Sequence, residues 1–493
     1  MPRKAVITLA VLLVAGAARA PGAVIEGVVS EKATGLPLAR ARVSLTVLQG
    51  TRSAVPAILT DSLGHFSFPR LGAGTYFLSA EKSGYAMARY GQKRWNGAGA
   101  PILLQQDSRV SVALPLSRMG AVSGEVVDEN GVGLQDLQVF AYRDTKPLRQ
   151  AGQGSTDDRG AFRIAGLEPG RYRIRTAAKE LEDGTALLPT FLGDAAAAEN
   201  SSAIDVQLDA ETSGVRIRPV PGELAKLSGR VTFPGPNSVV LYSDLGRRSA
   251  GLDPSGRFSF DQLSPGSYEV LAESGGGAPQ VGYARVLVNA DVEGVILDPM
   301  PAPAVQLRCE DTDGKTVAGR EVSLYVRRAT PPEDPRGQML NCGVRASFGV
   351  GAWVISASTP SSVSLAQVEI QREEIRSNEL ALMPGQTVEV TLVLSSRSAA
   401  LKGTVTGPDG QPAAGAMVFL RALDKDVARR LFAKGSGRTD ESGAYEIKGL
   451  PAGRYELMAS SEFQTLDEVD WEGAELKEVE LVEGREITLD LTM

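Results

Sequence analysis

A short stretch recurs along this chain and constrains its fold more than any other feature. In its clearest copy, Thr156–Ile174, an Asp-x-x-Gly turn is followed by an alternating apolar and polar run, a Pro-Gly turn and a second alternating run. Alternation with a period of two is typical of half-buried strands, and Asp, Pro and Gly supply the caps and backbone angles of tight turns. The stretch is therefore predicted to be a β-hairpin with one apolar face.

The turn glycine of this stretch recurs at a regular interval. Gly64, Gly160 and Gly256 lie 96 residues apart, and Gly443 follows 187 residues later, close to two further periods. A degenerate copy fills the gap at Phe348–Trp353, which keeps the aromatic positions and has lost the Asp turn. Self-similarity at a fixed period indicates a tandem array of one structural unit.

The chain is accordingly predicted to be all-β, with five tandem antiparallel Greek-key β-sandwich domains. Gly-x-Val openers, alternating closers and turns between short runs are typical of such sandwiches. We call the five ranges modules 1 to 5: 23–119, 120–221, 222–301, 302–397 (the degenerate copy) and 398–493. Because few residues separate one module from the next, we expect an elongated arm of beads on a string.

Residues 1–20 are predicted to be a signal peptide. Arg3 and Lys4 precede the apolar run Ala5–Val14, and small residues lead to Ala20. This order of charged, apolar and small residues is typical of secretory signals, and the run is short for a membrane span. We therefore predict an exported protein, periplasmic or extracellular, without a membrane span.

Charge and histidine content argue against several classes of function. The net charge of −7 disfavours nucleic acid as a partner. The single histidine, His65, excludes a zinc site with two histidines and any Ser-His-Asp or Cys-His mechanism not built on it. We predict that His65 is a surface turn residue, and that the protein is not an enzyme and uses neither a cofactor nor a metal.

Three Asp-rich segments, at Asp128–Gly131, Asp157–Asp158 and Asp311–Gly314, raise calcium binding as an alternative. Each offers two or three side-chain oxygens, whereas a calcium loop needs six or more ligands. Asp and Asn before Gly are also what tight turns require, so we predict turns.

The two cysteines, Cys309 and Cys342, both lie in module 4. Cys309 stands where modules 2 and 5 have an inward valine, and Cys342 replaces the Thr that precedes the turn Asp. In an oxidising compartment we predict that they form a disulfide.

The repeated motifs resemble those of the carboxypeptidase regulatory-like domain, a family with a transthyretin-like (prealbumin-like) sandwich. The matching residues of module 1 are Gly27, Ala41, Arg42, Val43, Asp61, Gly64, Phe66, Leu71, Gly74, Tyr76, Gly84 and Tyr85. Those of module 2 are Gly124, Asp157, Gly160, Phe162, Leu167, Gly170 and Tyr172. The resemblance covers nearly the whole chain after residue 20, and implies the fold and a non-catalytic module of an exported protein.

One surface stretch, Arg89–Asn96, alternates basic residues with aromatic ones. Its possible ligand-binding residues are Arg89, Tyr90, Arg94 and Trp95. Three interpretations remain open: a solvated loop whose Trp95 folds back onto the sandwich, a site for carbohydrate or an anionic polymer, and a site for a protein. The corresponding part of module 5, Asp467–Glu472, is acidic, so a head-to-tail pairing between molecules is a further hypothesis.

These observations favour a scaffold or adhesive protein that presents loops to an unknown protein or polysaccharide at the cell envelope. The alternative is a carbohydrate-binding protein, for which the Arg89–Asn96 loop and Trp353 are the only sequence indications.

Overall fold

In the computed structural model, the regular secondary structure of the described residues is almost entirely β-strand. The structure describes residues 22–48, 55–145, 148–181, 185–243, 246–275, 278–317, 322–329, 337–374, 377–425, 427–428, 435–463, 465–466, 469, 471 and 474–493. The predicted signal peptide, 1–20, lies outside the described residues.

The strands of module 1 are β1 (Ala23–Glu31), β2 (Arg42–Val47), β3 (Ile58–Leu59), β4 (His65–Leu71), β5 (Gly74–Glu81), β6 (Ala88–Arg89), β7 (Ile102–Leu104) and β8 (Arg109–Leu116). Module 2 and the following link contain β9 (Gly120–Val126), β10 (Gln138–Arg143), β11 (Arg149–Ser155), β12 (Ala161–Leu167), β13 (Gly170–Thr176), β14 (Lys179–Glu180), β15 (Ala186–Leu187), the 3-10 helix η1 (Ala198–Asn200), β16 (Ala203–Val206), β17 (Glu211–Ile217) and β18 (Pro221–Gly222).

Module 3 contains β19 (Ala225–Val231), β20 (Ser238–Ser243), β21 (Gly246–Gly251), β22 (Arg257–Leu263), β23 (Gly266–Glu273), β24 (Gln280–Val288), β25 (Val292–Leu297) and β26 (Met300–Pro301). Module 4 contains β27 (Ala304–Asp311), β28 (Ser323–Arg328), β29 (Gly337–Asn341), β30 (Arg345–Ser347), β31 (Gly351–Ser358), β32 (Ser364–Ile370), β33 (Glu373–Glu374), β34 (Glu379–Leu382) and β35 (Thr387–Ser395). Module 5 contains β36 (Ala399–Thr406), β37 (Met417–Ala422), β38 (Ser436–Arg438), β39 (Ala444–Leu450), β40 (Gly453–Ser460), β41 (Lys477–Leu481), β42 (Glu486–Thr488) and β43 (Leu491–Thr492).

Each module packs two sheets face to face, which confirms the predicted all-β sandwich class. In module 1 the sheets are β4-β1-β8 and β3-β2-β5-β6, and module 2 repeats this order as β12-β9-β17 and β11-β10-β13-β16. The opening strand pairs antiparallel with the strand after the Asp turn and parallel with the closing strand, as β1 does with β4 and β8. Among the described strands, the sheets are therefore antiparallel except where the opening strand meets the closing strand, which in module 5 is divided into β42 and β43.

Each module also has its own apolar core. The five large clusters of buried side chains fall in the five predicted ranges, one in each. A single core of this kind is what allows a domain of this size to fold independently. We keep the division into five modules as our proposal, and the separate cores support it.

The predicted hairpin at Thr156–Ile174 is wrong in one respect. Its two strands, β12 and β13, do not pair with each other: β12 pairs with β9, and β13 pairs with β10 and β16 in the facing sheet. The alternation of apolar residues is as expected, with Phe162 and Ile164 on one strand and Tyr172 and Ile174 on the other all buried. Because the two strands cover the core from opposite sides, the Pro-Gly turn forms an arch between the sheets.

The arch is closed by one recurring hydrogen bond. The Tyr172 hydroxyl donates to the carbonyl of Glu168, four residues earlier, at 2.9 Å. The equivalent bonds join Tyr76 to Gly72, Tyr268 to Ser264 and Tyr455 to Pro451. In module 4 the indole Nε1 of Trp353 donates to Gly349 at 2.9 Å instead. The degenerate copy thus keeps the bond with a different donor.

We expect Tyr172→Phe to destabilise module 2 by about 1 kcal/mol, because the Glu168 carbonyl loses its donor at a partly buried site. Tyr90→Phe serves as the matched control, since no side-chain hydrogen bond is described for Tyr90, which packs against the core of module 1. Urea unfolding of both variants measures the difference. Equal stability of the two variants would refute a stabilising role for the bond.

A second recurring contact involves the Thr before the Asp turn. The Thr156 hydroxyl accepts from the Leu137 amide at 2.9 Å and donates to the Leu134 carbonyl at 2.6 Å. Thr60 and Thr439 make the same pair of bonds in modules 1 and 5. In module 4, Cys342 occupies this position and forms a disulfide with Cys309 of β27, with a Cα–Cα distance of 5.5 Å. In module 4 the disulfide thus takes the place of the threonine hydroxyl that cross-links the backbone in modules 1, 2 and 5.

Candidate functional site

The loop that contains the four proposed ligand-binding residues is pinned to the sheet of module 1. The Tyr90 amide donates to the Leu78 carbonyl at 2.9 Å, and the Tyr90 carbonyl accepts from the Ala100 amide at 2.7 Å. The Arg89 guanidinium donates to the Gly97 carbonyl at 3.2 Å, and the ring of Tyr90 packs against the core. The loop therefore has a defined conformation, and Trp95 is half-buried in it.

The basic side chains of this loop face module 5. Lys93 Nζ lies 3.2 Å from Glu462 Oε1, and the Arg94 guanidinium carbon lies 4.7 Å from the centre of the Phe463 ring. The opposite charges of modules 1 and 5 thus meet within one molecule, where the sequence suggested pairing between molecules. Most of the acidic segment named for that pairing, Asp467–Glu472, lies outside the described residues.

A second contact between modules 1 and 5 centres on Phe77 of β5. A Cβ added at Gly415, where φ is +72°, would lie 2.3 Å from Cζ of the Phe77 ring. The ring therefore occupies space that only a glycine leaves open. The Arg438 guanidinium carbon is 5.4 Å from the centre of the same ring. An aromatic ring with a close glycine and a cation above it is a specific fit between the two modules.

Consecutive modules also contact one another. Arg118, at the start of the link to module 2, forms an ion pair with Glu31, and its amide donates to Asp209 at 2.7 Å. The link between modules 2 and 3 pairs β15 with β18, and in the link between modules 4 and 5 Ser395 donates to Glu483 at 2.7 Å. Between modules 3 and 4, the buried Arg328 donates to the Tyr242 hydroxyl at 2.8 Å.

The five modules therefore form a closed circuit of contacts, whereas we expected an extended string. The expectation rested on the length of the links, which limits how far neighbours can separate and says nothing about the two ends. The complementary charges and the Phe77 contact bring modules 1 and 5 together.

We expect Glu462→Lys to open this circuit, because it places a cation opposite Lys93. Exposed pairs contribute up to about 1 kcal/mol, so the open fraction should rise about fivefold. Small-angle X-ray scattering would report a larger radius of gyration. The exchanged pair Lys93→Glu/Glu462→Lys should restore the wild-type value, and a wild-type protein that already scatters as an extended array would contradict the closed arrangement.

The ion pair at the first link was not found from the sequence, since Glu31 and Arg118 lie far apart in the chain. Glu31 is 3% exposed and accepts from Arg118, Thr34 and Tyr85. The Arg118 guanidinium, followed by the Thr34 hydroxyl, holds the pKa of Glu31 below its usual value. A lowered carboxyl pKa means that the pair stabilises the folded state above the ordinary glutamate pKa, and that this contribution is lost as the pH falls through the lowered pKa.

The other residues singled out in the sequence take up structural positions. His65 is exposed at the start of β4, whereas Trp353 is 8% exposed and packs edge-on against Phe348 with ring centres 5.1 Å apart. A buried indole offers no platform for a sugar ring. The Asp157 carboxylate accepts from the amides of Arg159 and Ala161 in its own turn, as Asp128 and Asp311 do in theirs.

Across the described ranges, no three His, Cys, Asp or Glu side chains are grouped so that they would hold a metal ion. The described residues likewise contain no helix long and apolar enough to cross a membrane.

Comparison with known proteins identifies the family of two modules. Residues 24–115 and 400–493 match the carboxypeptidase regulatory-like domain, which confirms the resemblance for modules 1 and 5. For modules 2 to 4 the resemblance rests on the repeated motifs.

The bone sialoprotein-binding protein of Staphylococcus aureus (strain MRSA252) is 24% identical over 310 residues, which are 55% of this chain and 26% of that protein. The chain thus spans about a quarter of the length of this relative. Among solved structures, a minor pilin of Streptococcus agalactiae is similar with a TM-score of 0.25 and 16% identity, covering 41% of this chain and 97% of its own. The RrgB pilus protein of Streptococcus pneumoniae has a TM-score of 0.18 and 10% identity, covering 93% of both chains. TM-scores this low carry no functional conclusion.

Proposed function

We propose that this chain, which carries carboxypeptidase regulatory-like domains at both ends of its array, is a non-catalytic, exported interaction scaffold that binds a protein at the cell envelope or outside the cell. Its β-sandwich modules and their contacts with one another supply a rigid frame. Loops on a rigid frame are where binding residues are usually found. The similarity to a bacterial protein named for binding bone sialoprotein supports an adhesive role.

The observation that carries the proposal is a pair of exposed leucines on module 1. Leu36 is 62% exposed and Leu63 is 61% exposed, and they lie in two loops that flank Val29. The loops are joined through this residue, because the Val29 amide donates to Gly64 and the Val29 carbonyl accepts from Leu38, each at 2.9 Å. Two apolar side chains held on adjacent loops suit a protein partner, whose interfaces have apolar centres, better than a polysaccharide.

Carbohydrate binding is less well supported. Of its two sequence indications, Trp353 is a core residue, and the Arg89–Asn96 loop uses Lys93 and Arg94 in contacts with module 5. Export and the absence of catalysis remain parts of the proposal, and they are supported by the relative from Staphylococcus aureus, which is named as a binding protein.

The test is a binding screen of the purified chain without residues 1–20. The screen uses extracellular matrix and envelope proteins, bone sialoprotein among them, beside a glycan array, at low and physiological salt. We expect saturable binding to a protein that survives physiological salt and is lost in Leu36→Asp/Leu63→Asp. Met383→Asp changes another exposed apolar residue, which is 48% exposed in module 4, and should bind normally.

Binding to glycans alone would instead favour the carbohydrate alternative. Protein binding that is unaffected by the two aspartates would remove Leu36 and Leu63 from the site.

A further inference from the structure

We propose that the cavity between modules 1 and 5 is a binding site for a carboxylate group attached to an apolar moiety. The cavity has a volume of about 320 Å³, within the range of small-ligand pockets. Module 1 supplies most of its wall from β2, β5 and the loop around Tyr90, and module 5 supplies Arg438. This inference does not rest on the proposed adhesive function.

The charge of the lining favours an anion. Arg89 and Arg438 both line the cavity, and no Asp or Glu is among the described residues that line it. A guanidinium presents several N–H donors in a planar fork that matches the two oxygens of a carboxylate, and such charge-assisted bonds are stronger than neutral ones.

Arg438 is the residue best placed to meet a ligand. Its side chain is only partly accessible to solvent at the end of β38, and its guanidinium lies over the ring of Phe77. Among the described residues no carboxylate pairs with Arg438, and partial burial alone lowers the pKa of its guanidinium. A partly desolvated cation without a counter-charge is stabilised by an anion that enters the cavity.

The other residues that line the cavity indicate which kind of group the carboxylate of the ligand is attached to. Phe77, Leu78 and Tyr90 provide an apolar wall, and the hydroxyl-bearing Thr46 and Ser79 lie in the same lining. An apolar group buried against such a wall gains roughly 25 cal/mol per Å² of surface removed from water. The lining therefore suits an aryl or alkyl carboxylate, or a glutamate flanked by apolar residues in a peptide.

Because the two arginines belong to different modules, a bound carboxylate would link modules 1 and 5. A ligand that binds only the closed arrangement stabilises it by mass action. Binding should consequently depend on the contact between Lys93 and Glu462, which lies outside the cavity lining.

The experiment is calorimetric titration of the full chain with matched probes. The small-molecule arm uses 3-phenylpropionate and its neutral amide. The peptide arm uses an acetylated, amidated pentapeptide with a central glutamate between leucines, and its glutamine counterpart. We expect at least one of the two carboxylates to bind, and its neutral counterpart to bind at least tenfold more weakly. If 3-phenylpropionate binds, the ligand is a small free acid, and if the peptide binds, it is a glutamate side chain.

Arg438→Gln should weaken carboxylate binding by roughly ten- to a hundredfold, the loss of a hydrogen bond to a charged group. The matched control is Arg149→Gln, because Arg149 also lies on an edge strand, β11, but away from the cavity. The Arg149→Gln variant should bind the carboxylate with the affinity of the wild type.

The Glu462→Lys variant should bind the carboxylate more weakly, and the exchanged pair Lys93→Glu/Glu462→Lys should restore binding. Circular dichroism verifies that each variant folds. Equal affinity for acid and amide, an unchanged affinity in Arg438→Gln, or no binding of any probe would overturn the proposal.

Discussion

Replacing Gly124 with alanine is expected to destabilise module 2 by about 3 kcal/mol, the upper end of the usual cost of overpacking. Gly124 lies in β9 directly opposite Val215 of β17, its partner in the parallel pair. A Cβ at this position would lie 1.9 Å from the Val215 carbonyl oxygen and 2.8 Å from the Val215 Cβ. The obstacle is backbone in a paired strand, so it cannot move aside without breaking the pairing of the opening and closing strands.

The same glycine recurs in the repeat, which makes the expected effect general. A Cβ at Gly27 or Gly229 would also lie about 2 Å from a carbonyl oxygen of the closing strand, and a Cβ at Gly403 would lie as close to the Leu489 carbonyl between β42 and β43. In module 4 the equivalent position is Leu307, which is fully buried in the core. The close approach is therefore a property of four of the five modules.

Hydrogen exchange with mass spectrometry would localise the loss of protection in Gly124→Ala to residues 120–221. Gly251→Ala is the matched control, because a Cβ at Gly251 on the edge strand β21 meets nothing within 4 Å. Its stability should change by less than about 1 kcal/mol. Full protection of module 2 in Gly124→Ala would show that β17 can shift without cost.

Reduction of the disulfide is expected to destabilise module 4 by about 3–4 kcal/mol in the chain-entropy model, because it closes a loop between residues 33 positions apart. This is a large share of the stability of a single domain. The measurement is denaturant unfolding with and without a thiol reductant, followed by hydrogen exchange in residues 302–397. The other modules contain no cysteine, so their exchange is the internal control.

Two double variants separate the covalent bond from the residues that it replaces. Cys309→Val/Cys342→Thr introduces the side chains of modules 2 and 5, where the Thr hydroxyl bonds two backbone groups. It should be about 1 kcal/mol more stable than Cys309→Ala/Cys342→Ala, through the recovered hydrogen bonds. Unfolding of the wild type that is insensitive to the reductant would mean that the disulfide does not contribute to stability.

Several features of the molecule were predictable because they depend on neighbouring residues. The Asp turns are local, since Asp157 caps amides two and four residues later in the chain. The strands of the arch were predictable from the alternation of Phe162 and Ile164, but their pairing was not. Alternation specifies which side chains face the core. It does not specify the pairing, because two strands can bury the same side chains whether they lie in one sheet or in two sheets that face each other.

The residues of the candidate site were likewise predictable only in part. The sequence drew attention to Arg94 and to the opposite charges of modules 1 and 5, yet it assigned them to a ligand or to another molecule. It gave no signal for Arg438 or Phe77, because neither belongs to a recognisable motif. Their contact joins positions in the first and last modules.

The sequence by itself determined the repeating unit, the all-β class, the turns and the inward side chains, because these follow from the backbone preferences and alternation of short segments. The tertiary structure alone decided that β12 and β13 lie in different sheets, that Glu31 pairs with Arg118, and that modules 1 and 5 close the chain on itself. These contacts join residues distant in sequence, and they form only where burial, charge and shape match in three dimensions.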